Sequence, residues 1–313
     1  MPATHQTEHE VTVAAPATAV YELIADVGNW PRMFPPTVYA DYAERGETDE
    51  RIRLWATANG EVKHWTSRRR LDPAALRVEF RQEVSSPPVA AMGGTWIVEP
   101  LAGDRSRVRL QHDYRAVGDD PAGLAWIEQA VDRNSAAELA ALKASAEILV
   151  GASNELLTSF EDSVRITGSA QDAYDFINQA DRWQERLPHV ARVALREDSP
   201  GLQLLEMETK TADGSTHTTT SVRVCFPHTR IVYKQIAVPA LMSLHTGYWL
   251  FEQDGPSVTA TSQHTVIINT ANITAVLGEG AGIAEAKRFV REALGANSRA
   301  TLGYAKQYAE ARS

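Results

Sequence analysis

The segment Gly94-Thr95-Trp96-Ile97-Val98-Glu99 reappears 153 positions later as Gly247-Tyr248-Trp249-Leu250-Phe251-Glu252, with glycine, tryptophan and glutamate at the same places. The likeness continues along the chain in one order, with slips of one residue. The further matches pair Tyr21 with Tyr174, Ile24 with Ile177, Trp30 with Trp183, Ser67 with Ser221, Arg69 with Arg223 and His112 with His264. Self-similarity over so long a period indicates two copies of one structural unit.

Each copy has the same predicted order of elements. A short strand at 11–13 precedes a helix that Pro16 can begin. About six strand-like runs follow between 39 and 117, separated by turn residues such as Asn59-Gly60. A long helix is predicted over 123–150 and again over 284–311, and a helix of that length must bury one face. We therefore predict an α+β fold in which a curved antiparallel sheet wraps around the last helix and leaves space for a small molecule.

Composition limits the classes of protein to consider. The 313 residues include 43% hydrophobic ones and carry a net charge of −9, which favours a folded chain and argues against general nucleic-acid binding. A local basic patch around 68–70 could still receive an acidic partner. The single cysteine, Cys225, excludes an intrachain disulfide and favours a reducing cytoplasm. The longest apolar run, 236–244, is too short to span a bilayer, and no Cys/His cluster has metal-ligand spacing. Domains are predicted at 1–150 and 160–313, with a boundary at 151–159.

Alternation along one predicted strand of the first copy directs an arginine inward. Trp65, Ser67 and Arg69 share one face, and the opposite face is charged, so it should meet water. A buried arginine needs partners, because an unpaired buried charge is costly. Two interpretations stay open: Arg69 pairs with a core carboxylate, or it donates hydrogen bonds to a ligand oxygen.

Two further polar residues are directed toward the same space. His112 shares its strand face with apolar Val108 and Leu110, and Glu138 falls within the apolar stripe of the long helix. Each has an ordinary structural alternative: His112 as a satisfied core group, and Glu138 as the partner of Arg69 or His112 in a salt bridge. An acid–base pair next to a cationic oxygen binder is nevertheless what enolate and dehydration chemistry requires.

The second copy is less complete. Arg223 and His264 fall at the matching places, but aligning Asn134-Ser135 with Asn297-Ser298 puts Thr301 where Glu138 stands. The acid is missing there. We expect the second copy either to bind without reacting or to use other groups.

Several motifs of the chain resemble those of the aromatase/cyclases of bacterial type II polyketide synthases. The similar stretches are Trp65-Thr66-Ser67-Arg68-Arg69, Phe34-Pro35-Pro36-Thr37, Met92-x-x-x-Trp96, His112-Asp113-Tyr114 and Arg133-Asn134-Ser135-x-x-Glu138. The resemblance covers nearly the whole chain and is stronger in its first half. It implies two tandem helix-grip, START-like domains, since the two-domain members of that family have this length and duplication. A tyrosine that some members use after the Phe-Pro segment is absent, because this chain has Thr37 there.

The resemblance also implies site residues. Its pocket arginine, strand histidine and helix acid correspond to Arg69, His112 and Glu138 as catalytic residues. The predicted substrate contacts are Trp30, Phe34, Trp65, Ser67, Met92 and Trp96, although each aromatic ring alone would suit a core position equally well. The predicted pocket of the second domain comprises Ser221, Arg223, Trp249 and His264.

By this resemblance the chain would bind a poly-β-ketone tethered to an acyl carrier protein and work with the minimal polyketide synthase components. It would direct first-ring aldol closure between the seventh and twelfth carbons, dehydration and aromatisation, or both, with no metal or added cofactor. Two alternatives stay open. The chain could be a non-catalytic START-like carrier of a hydrophobic small molecule, or a chaperone cofactor of related fold.

Overall fold

The structure, a computed structural model, describes residues 4–58, 61–149, 155–210 and 214–313. The chain divides into two compact units, Met1–Asn154 and Glu155–Ser313. The turn predicted at Asn59-Gly60 and the first part of the boundary predicted at 151–159 lie outside the described residues. Within the described ranges, no helix has both the length and the apolar character needed to cross a membrane.

The first unit begins with a strand and two helices, continues with six strands and ends with a long helix. The elements are β1 (His5–Val13), α1 (Ala17–Ala25), α2 (Trp30–Met33), β2 (Thr37–Arg45), β3 (Asp49–Ala58), β4 (Glu61–Asp72), β5 (Arg77–Gln82), β6 (Val89–Leu101), β7 (Arg105–Ala116) and α3 (Pro121–Leu149), with 3-10 turns at Val27–Asn29 and Val117–Asp119. All neighbouring strands are antiparallel, in the order β1-β7-β6-β5-β4-β3-β2.

The second unit repeats this plan. Its elements are β8 (Leu157–Thr167), α4 (Ala170–Asn178), α5 (Trp183–Arg186), β9 (Val190–Ser199), β10 (Leu202–Lys210), β11 (Thr216–Phe226), β12 (Arg230–Ala237), β13 (Met242–Asp254), β14 (Ser257–Ile268), α6 (Ile273–Leu277) and α7 (Ile283–Glu310), with 3-10 turns at Ala180–Arg182 and Thr270–Asn272. The strand order is β8-β14-β13-β12-β11-β10-β9. The predicted α+β class, with one sheet and one long helix in each copy, is confirmed. The first strands are longer than predicted, and β8 begins ahead of residue 160.

The long helices cover the sheets with their apolar faces. On α3, Ile127, Val131 and Leu142 are buried, and the helix packs on β1 and β7. On α7, Val290 and Leu302 are buried, and that helix packs on β8 and β14. The stripe read from the sequence is therefore the face that closes each unit.

One row of paired residues crosses each sheet at the same level, and we call these the first row and the second row. The first row joins Glu50, Arg69, Phe80, Gly94, His112 and Thr7. The second row joins Gln203, Arg223, Tyr233, Gly247, His264 and Phe160. Residues paired across strands share a face of the sheet, so each row brings its side chains into one line.

A glycine occupies the same place in both rows because no side chain fits there. A Cβ atom on Gly94 would lie 2.0 Å from the carbonyl oxygen of Gln111 and 2.7 Å from the Phe80 ring. On Gly247 it would lie 2.0 Å from the Gln263 carbonyl oxygen and 2.6 Å from the Tyr233 hydroxyl. The aromatic ring of the preceding strand thus takes the space above each glycine.

Candidate active site

Arg69 is buried in the first unit, as alternation along β4 predicts, while Arg68 and Arg70 on the opposite face are exposed. Its Nη2 donates hydrogen bonds to the carbonyl oxygens of Ile24 at 3.2 Å and Ala25 at 2.9 Å. These carbonyls lie in the last turn of α1, where backbone acceptors lack helical partners. Arg69 thereby holds the end of α1 against the sheet.

Glu50 is the carboxylate partner of Arg69. Its Oε2 lies 3.6 Å from Nη1 of Arg69, and both side chains are buried. Burial raises the pKa of Glu50, and the positive charge of Arg69 opposes that rise. The indole of Trp30 lies beside the guanidinium, 5.3 Å away. Of the two interpretations left open by the sequence, the structure contains the core carboxylate, and donation by Arg69 to a ligand stays a prediction.

His112 is held by the long helix and keeps one ring nitrogen without a partner. Its Nδ1 lies 3.3 Å from Oγ of Ser135 on α3, and the Phe80 ring meets it edge-on at 5.6 Å. Its Nε2 has no hydrogen-bond partner among the described residues. Burial, with a smaller contribution from His9, lowers the pKa of His112 to about 4. The ring is therefore neutral at pH 7 and offers a basic nitrogen.

Glu138 lies one helical turn after Ser135 and one turn before buried Leu142, on the face of α3 that packs on the sheet. Its side chain is partly accessible, yet protein surrounds it, and this desolvation raises its pKa to about 7. Glu138 makes no hydrogen bond or ion pair with any described residue, so the predicted salt bridge to Arg69 or His112 is not formed. Its free carboxyl group can hold or release a proton near neutral pH.

Two of the three predicted catalytic residues are each next to Ser135 of α3, and no hydrogen bond or ion pair joins them among the described residues. His112 contacts Ser135, and Glu138 is the helical neighbour of Ser135. Arg69 lies three strands away from His112 along the first row, which corresponds to roughly 14 Å at the usual strand spacing. His112 and Glu138 therefore share Ser135 as a neighbour, and Arg69 is at a distance from His112.

The predicted substrate contacts of the first unit divide between the core and its margins. Trp30, Phe34 and Trp96 form an aromatic chain with ring centroids 5.5 and 6.2 Å apart. Phe34 and Trp96 belong to the main core cluster. Trp65 packs on a second cluster and Met92 on a third, each partly buried. Ser67 is buried and has no hydrogen bond within the described chain. Contact of these six residues with substrate stays a prediction.

The second unit contains a cavity of about 110 Å³ between its sheet and α7. All four residues predicted for the second pocket line it: Ser221, Arg223, Trp249 and His264. Arg223 repeats the pattern of Arg69, since its Nη2 donates to the Ile177 carbonyl oxygen at 2.7 Å and its guanidinium lies 5.3 Å from the Trp183 ring. The place of Glu50 is taken by neutral Gln203.

His264 is hydrogen-bonded at both ring nitrogens. Its Nδ1 lies 2.8 Å from the Tyr233 hydroxyl and 2.9 Å from Nε2 of His245, and its Nε2 lies 2.6 Å from Oγ of Ser298. Burial lowers the pKa of His264 to about 4 and that of His245 well below its usual value, the latter with help from His264. Both rings are neutral at pH 7.

Sequence reasoning missed Tyr233 and His245, although the repeat contained the signal. At the 153-residue shift, Tyr233 stands where the first copy has Phe80, and His245 stands where it has Met92. Ser298 contacts Nε2 of His264 and Ser135 contacts Nδ1 of His112, so each helix serine meets the histidine of its own sheet and the alignment that places Thr301 opposite Glu138 holds. Thr301 donates its hydroxyl hydrogen to the Asn297 carbonyl oxygen at 2.9 Å.

Among the described residues, no group of three or more His, Cys, Asp or Glu side chains could hold a metal ion.

A family model, "Polyketide cyclase / dehydrase and lipid transport", matches residues 4–147 and again 158–310. The two matches together span most of the chain, one in each unit. The chain belongs to this polyketide cyclase/dehydrase family.

Relatives within the family agree over nearly their whole length. The chain is 50% identical to the granaticin polyketide synthase bifunctional cyclase/dehydratase of Streptomyces virginiae over 298 residues, covering 95% of this chain and 97% of the relative. It is 49% identical to the actinorhodin polyketide synthase bifunctional cyclase/dehydratase of Streptomyces coelicolor, covering 97% and 96%. The family member described here is accordingly an enzyme of the aromatase/cyclase class in aromatic polyketide biosynthesis.

Solved structures support the two-unit fold. The di-domain ARO/CYC BexL from the BE-7585A biosynthetic pathway is 63% identical, with a TM-score of 0.93 and coverage of 98% of this chain and 99% of that one. The di-domain ARO/CYC StfQ from the steffimycin pathway is 36% identical, with a TM-score of 0.88 and the same coverage. The predicted tandem helix-grip architecture is therefore confirmed.

Proposed function

We propose that this aromatase/cyclase acts on a poly-β-ketone carried by an acyl carrier protein, closing the first ring between the seventh and twelfth carbons, dehydrating it, or both. The first unit would contain the acid–base group for this chemistry. One observation carries the proposal: Glu138, with a pKa of about 7, lies next to the Ser135 that holds neutral His112. An acid and a base that are both available at neutral pH suit aldol and dehydration steps.

Each residue has a stated role. Nε2 of His112 removes a proton from the acidic carbon between two carbonyl groups. Glu138 gives its proton to the hydroxyl group that departs as water. Arg69 would stabilise the enolate oxygen while its guanidinium also contacts Glu50 and the end of α1.

The proposed partners are an acyl carrier protein and the minimal polyketide synthase, and the proposed compartment is the cytoplasm. The relatives named above are polyketide synthase components, which supports work with such a system. The basic patch considered for an acidic carrier is weaker than its sequence suggests. Arg68 lies 3.1 Å from Glu83 and Arg70 lies 3.3 Å from Asp49, so carboxylates offset much of its charge.

The test is reconstitution of the full chain with a minimal polyketide synthase and its carrier protein, followed by identification of the ring pattern of the products. We expect Glu138→Gln and His112→Gln each to lower the yield of correctly closed, dehydrated product by about 10²-fold or more. Glu128→Gln, on an exposed position of the same helix, is the matched control and should leave the products unchanged. Normal product profiles from both site variants would overturn the proposal, and tight binding without turnover would favour a carrier.

A further inference from the structure

The long helix of each unit is fastened to the first strand of its sheet by charged side chains. In the first unit, Nε2 of His9 on β1 lies 3.1 Å from Oδ1 of Asp132 on α3. In the second unit, the residue 153 positions after His9 is Asp162 on β8. Its carboxylate oxygens accept hydrogen bonds from Arg291 and Arg299 of α7, each at 3.0 Å. The same place thus has a histidine contact in one copy and an arginine contact in the other.

The two contacts use the same space on the helix. At the 163-residue shift that aligns the long helices, Gly295 stands where the first unit has Asp132. A Cβ atom on Gly295 would lie 2.0 Å from Nη1 of Arg291 and 2.7 Å from Nη1 of Arg299. A side chain at this position would therefore displace both arginines. The His9–Asp132 contact is an arrangement of the first unit and not a remnant of the shared fold.

His9 lies beside His112 on the inner face of the sheet. β1 pairs with β7 so that Thr7 is opposite His112 and His9 is opposite Leu110. Because His9 is two residues after Thr7, its side chain is on the same face as His112, in the diagonal position, at roughly 7–8 Å between Cα atoms. The positive charge of protonated His9 acts over this range, since it lowers the pKa of His112 after the larger effect of burial.

The partner of His9 is on the same part of α3 as the partner of His112. Asp132 precedes Ser135 by three residues, so the two side chains are neighbours on the helix surface. Oγ of Ser135 lies 3.3 Å from Nδ1 of His112. One turn of α3 therefore contacts both histidines, each through one side chain. Loss of the His9 contact would release this turn from β1, and with it the serine that holds the His112 ring.

We propose that His9 is a positioning residue for His112. Held by Asp132, it fixes the turn of α3 that presents Ser135 to Nδ1 of His112, and it places a positive charge beside that ring. The effect of His9 on His112 rests on these contacts alone, whereas its value for catalysis rests on the proposed function.

The positive charge has a defined effect on the proposed proton transfer. A cation beside an imidazole disfavours the imidazolium form. His112 therefore keeps the lone pair of Nε2 available, and a proton that it takes from carbon is readily given up again. No covalent step is added, because the C–H bond breaks toward Nε2 as already proposed and His9 changes only how tightly His112 holds the proton.

The other titratable groups around this place come from three elements. From α3, Asp132 and exposed Glu128 contribute to the raised pKa of Tyr114, after the larger effect of burial. From β7, His112 and Tyr114 share the inner face of the sheet. From β1, His5 stacks on Tyr114 at 6.1 Å. Of the two carboxylates, Asp132 makes the direct contact with the positioning histidine.

The test is titration of the His112 ring in the full chain, followed by NMR with ¹⁵N-labelled histidine. The signals of His112 are identified by their loss in His112→Gln. We expect His9→Gln to move the titration midpoint of His112 to higher pH, because the neighbouring positive charge is gone. His9→Lys keeps a positive charge at this place and should stay close to the parent. Glu10→Gln, on the exposed opposite face of β1, is the matched control and should titrate like the parent.

Asp132→Ala tests the contact without changing the sheet, and it covers the case in which a His9 variant fails to fold. We expect the ¹⁵N signal of Nδ1 of His112 at pH 7 to move, because the turn that carries Ser135 is released from β1. Ser135→Ala gives the position of that signal when the serine contact is lost completely. The signal in Asp132→Ala should lie between those of the parent and Ser135→Ala.

The outcomes separate this inference from the proposed function. If His112→Gln makes normal products, the proposed function fails, and the titration still decides the role of His9. The inference is wrong if His112 has the same midpoint in the parent, His9→Gln and His9→Lys, or if Asp132→Ala leaves the Nδ1 signal unmoved. It is also wrong if His9→Gln gives the parent's yield of closed product in the reconstituted system while His112→Gln does not.

Discussion

The two rows differ at a few side chains on one scaffold. The first row pairs Arg69 with Glu50, and His112 keeps a free nitrogen close to an acid on α3. The second row has Gln203 and Tyr233 in place of Glu50 and Phe80, and its histidine is bound at both nitrogens. The arginine, glycine and histidine are common to both. The two copies therefore share the arginine, the glycine and the histidine of the row. They differ in the residues that contact the arginine and the histidine.

The two units hold different titratable groups in desolvated surroundings. In the first unit a carboxyl group on the helix has a raised pKa, and a histidine on the sheet has a lowered pKa. In the second unit two histidines on neighbouring strands lie within hydrogen-bond distance of each other. The following changes test how far each unit depends on its own arrangement.

The largest expected effect concerns the buried charges. Arg69→Met should lower the free energy of unfolding by about 3 kcal/mol, because it strands the buried carboxyl group of Glu50. We take the lower end of the range for breaking a buried ion pair, because exposed Arg45, 3.5 Å from Glu50, still offers that carboxyl group a positive charge. Arg223→Met should cost only about 1.5 kcal/mol, for one hydrogen bond from a charged donor. Urea unfolding followed by tryptophan fluorescence measures both.

Glu50→Gln in the Arg69→Met background copies Gln203 and supplies the control. It should recover much of the lost stability, and equal costs for the two arginines would show that Glu50 is not the cause. Loss of product in any Arg69 variant would therefore report folding as well as chemistry.

The next effect is a pH dependence that arises from Glu138, a carboxyl group that Thr301 replaces in the second unit. The pKa of Glu138 is raised from 4.5 to about 7 by desolvation, so the folded chain holds this proton more tightly than the unfolded chain. Its contribution to stability is fully present below pH 4.5 and is lost as the pH rises through about 7. Glu138→Gln has no such loss. Relative to the parent it should gain about 2 kcal/mol between pH 5 and pH 8, after discounting for partial exposure.

Unfolding free energies of parent and variant at both pH values measure that gain. Glu128→Gln, on the exposed side of α3, should follow the parent at both. Parallel curves for the parent and Glu138→Gln would mean that Glu138 is already ionised in the folded chain.

The smallest effect is expected when the aromatic residues of the two rows are exchanged. Tyr233→Phe should cost about 1 kcal/mol, because it removes the hydroxyl that lies 2.8 Å from Nδ1 of His264. Phe80→Tyr should raise stability by about 0.5 kcal/mol if its hydroxyl reaches His112. Calorimetric midpoints compare the two, and a loss of stability in Phe80→Tyr would show that the rows are not interchangeable at this place.

Local patterns in the sequence are enough to predict which way the site residues face. Alternation of period two put Arg69 and His112 on the inner faces of their strands, and the helical period put Glu138 on the covering face of α3. The repeat predicted the second unit. These features depend on residues within a few positions of one another, and a sequence displays them directly.

The partners of those residues depend on strand register, which local patterns do not contain. Glu50 meets Arg69 only because β3 and β4 pair in one register, and Tyr233 reaches His264 across the strand between them. A closer comparison of the two copies would have found His245 opposite Met92. Its contact with His264 is one that only the folded sheet creates.

The glycine at the centre of each row has a consequence for redesign. It opens a gap in β6 and β13, through which the ring of one strand reaches the histidine two strands along. The reactivity of that histidine can thus be adjusted from position 80 or 233 without altering any residue on its own strand. Because both copies have the gap, a single substitution at position 80 or 233 can change the histidine of either copy. Even a methyl group on the glycine would fill the gap and separate the aromatic ring from the histidine.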